Sequence, residues 1–283
     1  MSAVETAEPG AASASQGSAR LLRSELRLIV TRRRNIAGLA LMCAVPVLVA
    51  VTLYVTQSTS GPPFFSVLLG NGLFVVLATF TIELVMLLPL AVCVVSGDSV
   101  AGEANIGTLR YLLTVPVGRA RLLAVKFAAL AIVTVMAVAA VAATAAAAGL
   151  IFFGAGEMTT MSGTAIGFAE SAWRVGLVCV YVAATLLAVC AIGLFASTMT
   201  EQPIGAAVSV VIWTVADRIL GSLDVLSWLH PYLLTTHWYA WGDLLRDPIV
   251  WDGVAAGLAS AAVYTAVFVS AAWARFTTKD VTS

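Results

Sequence analysis

Charge is what this sequence lacks most. Of its 283 residues, 11 % are Asp, Glu, Lys or Arg, 60 % are apolar, and the mean hydropathy is +0.99. A soluble domain has about a quarter of its residues charged, and a chain so poor in charge does not cover a water-facing surface. The composition excludes a soluble enzyme, a disordered protein and a nucleic-acid binder. Only two lysines are present, Lys126 and Lys279, and neither follows a glycine. Without G-x-x-x-x-G-K-[ST] the chain has no P-loop to cradle nucleotide phosphates. G-x-S-x-G, H-E-x-x-H and a dinucleotide fingerprint are missing too. The four cysteines, Cys43, Cys93, Cys179 and Cys190, lie far apart inside apolar runs. They lack metal-site spacing and read as small buried hydrophobes.

What is present is a series of long apolar runs. Six are close to the ~20 residues that a bilayer crossing needs, at about 36–55, 73–95, 127–153, 175–196, 204–220 and 253–274. The expected fold is all-α, a polytopic membrane protein of six transmembrane helices forming one domain over 19–283. Residues 1–18, rich in Ala, Ser, Gly and Glu, have little to bury and are expected to be a disordered tail. Residues 19–34 pattern as an amphipathic interfacial helix. Leu22, Leu26, Ile29 and Val30 share one face, with Arg20, Arg23, Arg27 and Arg34 beside it. The first span is too long for a signal-peptide core and lacks a convincing cleavage site.

Basic residues predict the orientation. With six spans both termini share one side. That side collects Arg20, Arg23, Arg27, Arg32, Arg33, Arg34, Arg110, Arg119, Arg121, Lys126, Arg275 and Lys279, twelve in all; Arg174, Arg218 and Arg246 fall on the other. Both termini are expected in the cytoplasm of a cell whose inner (plasma) membrane holds the chain. Residues 96–126 are then a cytoplasmic loop, and 154–173 and 222–250 face outward.

Within the spans, Glu83 stands out. An ionisable group at that depth is expensive and should face protein or a water-filled cavity, so it is read as a possible pathway residue or a structural carboxyl. No broken helix or internal repeat is evident. Asp217 and Arg218 near the outer end of the fifth span suggest snorkelling or local pairing, and Arg218 could partner Glu83 if their depths match. The small residues Gly253, Gly257 and Ala261 allow close helix approach, either within the chain or at a dimer interface. The outer segment 222–250 holds His230 and His237 among Trp228, Tyr232, Trp238, Tyr239 and Trp241. The aromatics point to short helices dipping into the interface; with Asp224, Asp243 and Asp247 only scattered nearby, the histidines make a poor metal site.

The loop S-G-D-S-V-A-G-E-A-N-I-G-T-L-R-Y-L-L-T-V-P-V-G-R-A-R-L-L-A-V-K-F is the most specific segment. It reads as a polar stretch, an amphipathic piece around Leu109–Leu113, a proline stop and a basic cluster. Glu103, Gly107-Thr108-Leu109, Leu112-Leu113, Pro116, Arg119 and Lys126 resemble the E-x-x-x-G-T-L … L-L … P-x-x-R … K run of type-2 ABC transporter permeases. The ending Arg275-Phe276-Thr277-Thr278-Lys279-Asp280-Val281 is similar to that family's basic-Phe-x-x-basic-Asp-hydrophobic tail. Gly118 departs from the Ser or Thr often found there, and a large outer domain is missing. The resemblance implies a non-catalytic membrane subunit. Its coupling residues would be Glu103, Gly107, Thr108, Arg110, Pro116 and Arg119. Its partners would be a separate ATPase subunit carrying ATP and Mg, a second permease subunit and the lipid bilayer, with no cofactor on this chain. Export of a small, lipid-like or drug-like molecule is the expected activity. A proton-coupled carrier built on Glu83, a membrane-embedded enzyme using the histidines, and an assembly factor remain the alternatives.

Overall fold

A computed structural model describes residues 11–60, 70–107 and 118–278. Helix α1 (Ala11–Thr31) precedes α2 (Arg33–Ser60). α1 begins inside the stretch expected to be tail, so residues 11–18 are helical. Ala11, Ala12, Ala14 and Gln16 are good helix formers, and the helix that packs beyond them extends back through them. Its inward face is also shifted from the expected one. Glu25 is the most buried residue, flanked by half-buried Leu22, Leu26 and Ile29, whereas Val30 is exposed.

The second expected span is two helices. The short α3 (Phe74–Glu83) ends where Met86 leaves the helical region, and α4 (Leu87–Ile106) begins there. Pro89 is the cause. It has no N–H to give Val85 O, and its ring crowds that carbonyl. The helix then continues through Ser96 to Ile106, so 96–106 is helix, not loop. α5 (Arg119–Phe153) follows, starting eight residues before the expected span. A minimal hairpin pairs Met158–Thr159 (β1) with Ala165–Ile166 (β2) in antiparallel fashion. α6 (Phe168–Met199) therefore starts within the expected outer loop. α7 (Pro203–Gly221), three short 3-10 segments (Asp224–Tyr232, Thr235–His237 and Ala240–Leu245) and α8 (Asp252–Thr278) complete the order. α2, α4, α5, α6, α7 and α8 are long and apolar enough to cross a membrane. The fold is an all-α polytopic membrane protein.

α6 is the central post, packed by α4, α5, α7 and α8. Small residues let the backbones meet there. A Cβ on Gly97 of α4 would come 2.7 Å from Ala207 N of α7. Ser197 of α6 enters the same turn of α4: its hydroxyl donates to Gly97 O (2.8 Å) and accepts from Val100 N (2.9 Å) and Ala101 N (2.8 Å). The small-residue ladder of α8 also serves this post. A Cβ on Gly257 would collide with Tyr181 Oη, so that glycine and buried Ala261 are used in packing within the chain.

α3 is held at both ends. At its start, Asn71 donates to Gly156 O (2.9 Å), Gly72 N donates to Gly154 O (2.9 Å), and a Cβ on Gly149 would collide with Gly72 O. At its end, Arg218 of α7 donates to Leu84 O (3.2 Å) and Val85 O (3.0 Å). The second of these replaces the bond that Pro89 removes. Non-helical backbone at membrane depth persists only where such partners exist.

Replacing Arg218 by Met strips two carbonyls of their donor. We expect a loss of about 2 kcal/mol in equilibrium unfolding in detergent, from the desolvation penalty of unmade hydrogen bonds. Adding Pro89→Ala restores a donor for Val85 O, so the double variant should lose less than the two single losses summed.

Candidate functional site

The site is built where the start of α5 meets α1, the end of α4 and the end of α8. Lys126, about two turns into α5, is 1 % exposed. Its ammonium donates to Glu103 Oε1 of α4 (2.7 Å), to Glu25 Oε1 of α1 (3.1 Å) and to Ser99 O (3.0 Å). All three of its donors are thereby placed. A buried ammonium is tolerable only when paired and hydrogen-bonded, and here two carboxylates from two other helices do both. The ion cluster locks the amphipathic α1 onto the membrane-spanning bundle.

A second charged group lies beside it. Asp98 of α4 pairs with Arg34 of α2 (3.1 Å) and also with Arg32 at the α1–α2 junction. Asn35 reaches back and donates to Ile29 O (2.8 Å), tightening the corner between the two helices. Arg119, at the first position of α5, donates to Thr277 O in the last turn of α8 (3.0 Å). A cation on the open carbonyls of a helix end is favourable both as a hydrogen bond and for the helix dipole. α1, the α1–α2 corner, the end of α4, the start of α5 and the end of α8 therefore share one end of the molecule.

The sequence-predicted residues distribute as follows. Glu103, Arg119 and Lys126 come to this end. Gly107 is the residue that terminates α4, at φ +75°. Glycine adopts this left-handed C-terminal conformation without strain, which accounts for a glycine at that position. Thr108, Arg110 and Pro116, with the whole of the amphipathic piece around Leu109–Leu113, lie outside the described residues. Glu25, Asp98 and Arg34 were missed as a group. The arginine face of this segment, Arg34 included, reads as lipid-facing, and a lone Glu on an arginine-rich helix gives no signal of a partner.

Glu83 lies elsewhere, at the last residue of α3 just before the break. It is fully buried, and among the described residues neither of its carboxylate oxygens has a hydrogen-bond partner; the same holds for Thr79 Oγ1 one turn earlier. Arg218 does reach this depth, but it binds the carbonyls that follow Glu83 instead of its carboxylate. Its neighbour Asp217 is buried and accepts from Thr235 N (2.8 Å). The pair thus does not snorkel: it ties two backbones to α7.

The aromatic segment is divided. Trp238 and Trp241 are core residues, whereas Trp228 and Tyr232 are exposed. Tyr181 donates to His237 O (2.6 Å), Tyr264 donates to Tyr232 O (2.8 Å), and Arg174 donates to Arg246 O (2.7 Å). The segment is a cap fastened to α6 and α8. The histidine rings stay apart, Nε2 of His230 facing Leu223 O and that of His237 facing Pro231 O. Among the described residues no three His, Cys, Asp or Glu side chains group as a metal would require.

The protein is thus a polytopic helical bundle with an ion-locked amphipathic helix beside the connection between its second and third spans. The family model described as ABC-2 family transporter protein matches residues 29–216. The chain belongs to this family, and it is a membrane permease of an ABC transporter. The family associates with an ABC ATPase, and its permeases are the multi-pass transport subunits of the complex. None of the curated proteins compared with the chain matches it.

Replacing Lys126 by Met leaves buried Glu25 and half-buried Glu103 without the ammonium that binds both. Breaking a buried pair in this way costs roughly 3–5 kcal/mol, and we expect a loss of that size in equilibrium unfolding. The triple variant that adds Glu25→Gln and Glu103→Gln should recover most of it, because removing all charged partners together is far less costly than orphaning one.

Proposed function

We propose that the chain exports an amphiphilic or drug-like small molecule at the expense of ATP hydrolysed on a separate subunit. In this reading the connection 107–118 docks on the ATPase at the cytoplasmic face, and a second permease subunit completes the pathway. The observation that carries it is the convergence of Glu103, Arg119 and Lys126 on the helices that flank this connection. Glu103 sits one turn before the C-terminal end of α4 and Arg119 opens α5, so a push on the residues between them acts directly on two spans. Lys126 extends the push to α1 through Glu25, and Arg119 extends it to α8 through Thr277. Gly107, Thr108, Arg110 and Pro116 are assigned to the docking segment itself. Closure of the ATPase on ATP would shift the bundle between two states. Transport follows when the cargo binds those states unequally. Arg20, Arg23, Arg27, Arg32, Arg33, Arg34, Arg119, Arg121, Lys126 and Arg275, which the described helices carry towards the α1 side, support a cytoplasmic location for that face and both termini.

Three experiments test this. Purification of the tagged chain from its native membrane in mild detergent should bring down a soluble P-loop subunit in stoichiometric amount; repeated recovery of the chain alone would overturn the reading. Glu103→Ala keeps the Glu25–Lys126 pair. It should abolish most ATP-dependent transport in vesicles while membrane insertion is unchanged, and normal transport would remove Glu103 from coupling. A reporter fused after Thr160 should be found outside the cytoplasm.

One observation favours a second reading, a proton-coupled carrier. The second span is broken directly after a buried carboxyl, and discontinuous helices at membrane depth line substrate and ion sites in such carriers. Glu83→Gln, which keeps the shape and removes the charge, separates the two. Retained ATP-dependent transport supports the ATPase-driven reading. Loss of transport, together with collapse of wild-type transport by an uncoupler at constant ATP, supports the carrier.

A further inference from the structure

A cavity of about 380 Å³ opens sideways on the bundle, close to the α1–α2 corner. Its size falls at the lower end of ligand-binding cavities, ~300–1,000 Å³. The floor is made by Met42 of α2, Leu88 of α4, Leu130 of α5 and Leu186 of α6, all buried; its lip, with Leu39, Leu41 and Met136, is exposed. Thr134 and Cys190, at the floor, hydrogen-bond to each other (3.0 Å), so their side chains are already partnered. The occupant that fits is an unbranched hydrocarbon.

The mouth is different in character. Arg34 lines it with its side chain half exposed, and Arg32 lies at the same corner. These two guanidiniums share the single carboxylate of Asp98, while Glu25 and Glu103 close on Lys126 next to them; with exposed Arg33 counted, four cations face three carboxylates at this corner, which leaves one positive charge in excess beside the cavity mouth. An apolar slot with a cationic rim matches a molecule with an apolar tail and an anionic head. We propose that the cavity holds one acyl chain of an anionic phospholipid from the leaflet on which α1 lies, with the headgroup at Arg32 and Arg34. This lipid is a bound component, seated between α2, α4, α5 and α6. It steadies the α1–α2 corner whatever the cargo, so it stands independently of the transport reading above.

Gly38 supplies a clean perturbation. It lines the cavity, and a Cβ built on it meets no atom within 4 Å. A larger side chain there fills the slot without displacing backbone, and replacing a mid-helix glycine favours the helix. The test uses the purified full chain in nanodiscs of phosphatidylcholine. These are doped with phosphatidylglycerol, or with phosphatidylcholine, carrying a photoactivatable diazirine on one acyl chain. After illumination the labelled peptides are mapped by mass spectrometry. The phosphatidylglycerol probe should label the peptides holding Met42 and Leu88 several-fold more than the phosphatidylcholine probe does. Gly38→Leu should remove that labelling while the exposed faces of α7 and α8 label as before. Arg34→Gln should reduce the phosphatidylglycerol signal to the phosphatidylcholine level. Ala137→Leu, a second filling of the same slot, serves if Gly38→Leu lowers the unfolding midpoint. Even labelling over all lipid-facing helices, equal labelling by the two probes, or labelling unchanged by both filling variants would overturn the proposal.

Discussion

Lys126 is the charge on which one end of this molecule depends. Its ammonium is out of water, and such a group is stable only with its donors satisfied and its charge opposed. The chain meets that demand with Glu25 and Glu103, two residues on helices that are otherwise separate. An interfacial helix has few ways to hold a fixed position against a bundle, since its apolar face is equally content in lipid. The buried ion cluster supplies the position. The salt bridges of Asp98 and the Arg119–Thr277 bond then extend this anchored region to the α1–α2 corner and the C-terminal helix.

At the other end the controlling constraint is backbone satisfaction. Membrane interiors offer no water to unpaired carbonyls, so the break imposed by Pro89 has to be met by a side chain. Arg218 meets it. Its neighbour Asp217 holds Thr235 N of the outer cap, and two adjacent residues of α7 thereby fasten two irregular elements. A charged pair that sequence reasoning assigns to the membrane surface is in fact the support for the non-helical parts.

Much of this fold was legible in the sequence. Six apolar runs, an amphipathic first helix and an aromatic outer segment of short turns are all properties of local pattern, and local pattern is what periodicity reports. The Glu103–Lys126 pair and the terminal Gly107 lay within a motif of recognisable residue types. What stayed hidden was pairing across helices. Nothing in the spacing of Glu25 tells that it faces Lys126, and Arg218 gives no sign that backbone carbonyls are its partners. The broken second span was hidden for a different reason. Hydropathy runs unbroken from Leu73 to Val95, and Pro89 within it is compatible with a kinked helix as well as with a break. Polar Ser96, Asp98, Glu103 and Asn105 make 96–106 read as a loop; in the protein Ser96, Asp98 and Glu103 each have a partner in the bundle, and Asn105 is exposed on the last turn of the helix. Trp238 and Trp241 were expected at the interface by type, and they are core by packing.

The length of α5 carries a consequence of its own. At ~1.5 Å per residue, its 35 residues make a rod of roughly 50 Å, well beyond the ~30 Å hydrocarbon thickness. Near its first end the rod carries Lys126, and near its last it carries Gly149, pressed against Gly72 at the start of α3. One continuous hydrogen-bonded element thus joins the ion cluster to the half-helix that ends at Glu83. A rod pinned at both ends behaves as a lever: it cannot tilt at one membrane face without swinging at the other. A tilt of such a rod at Lys126 is geometrically tied to a shift of Gly149 beside the broken span.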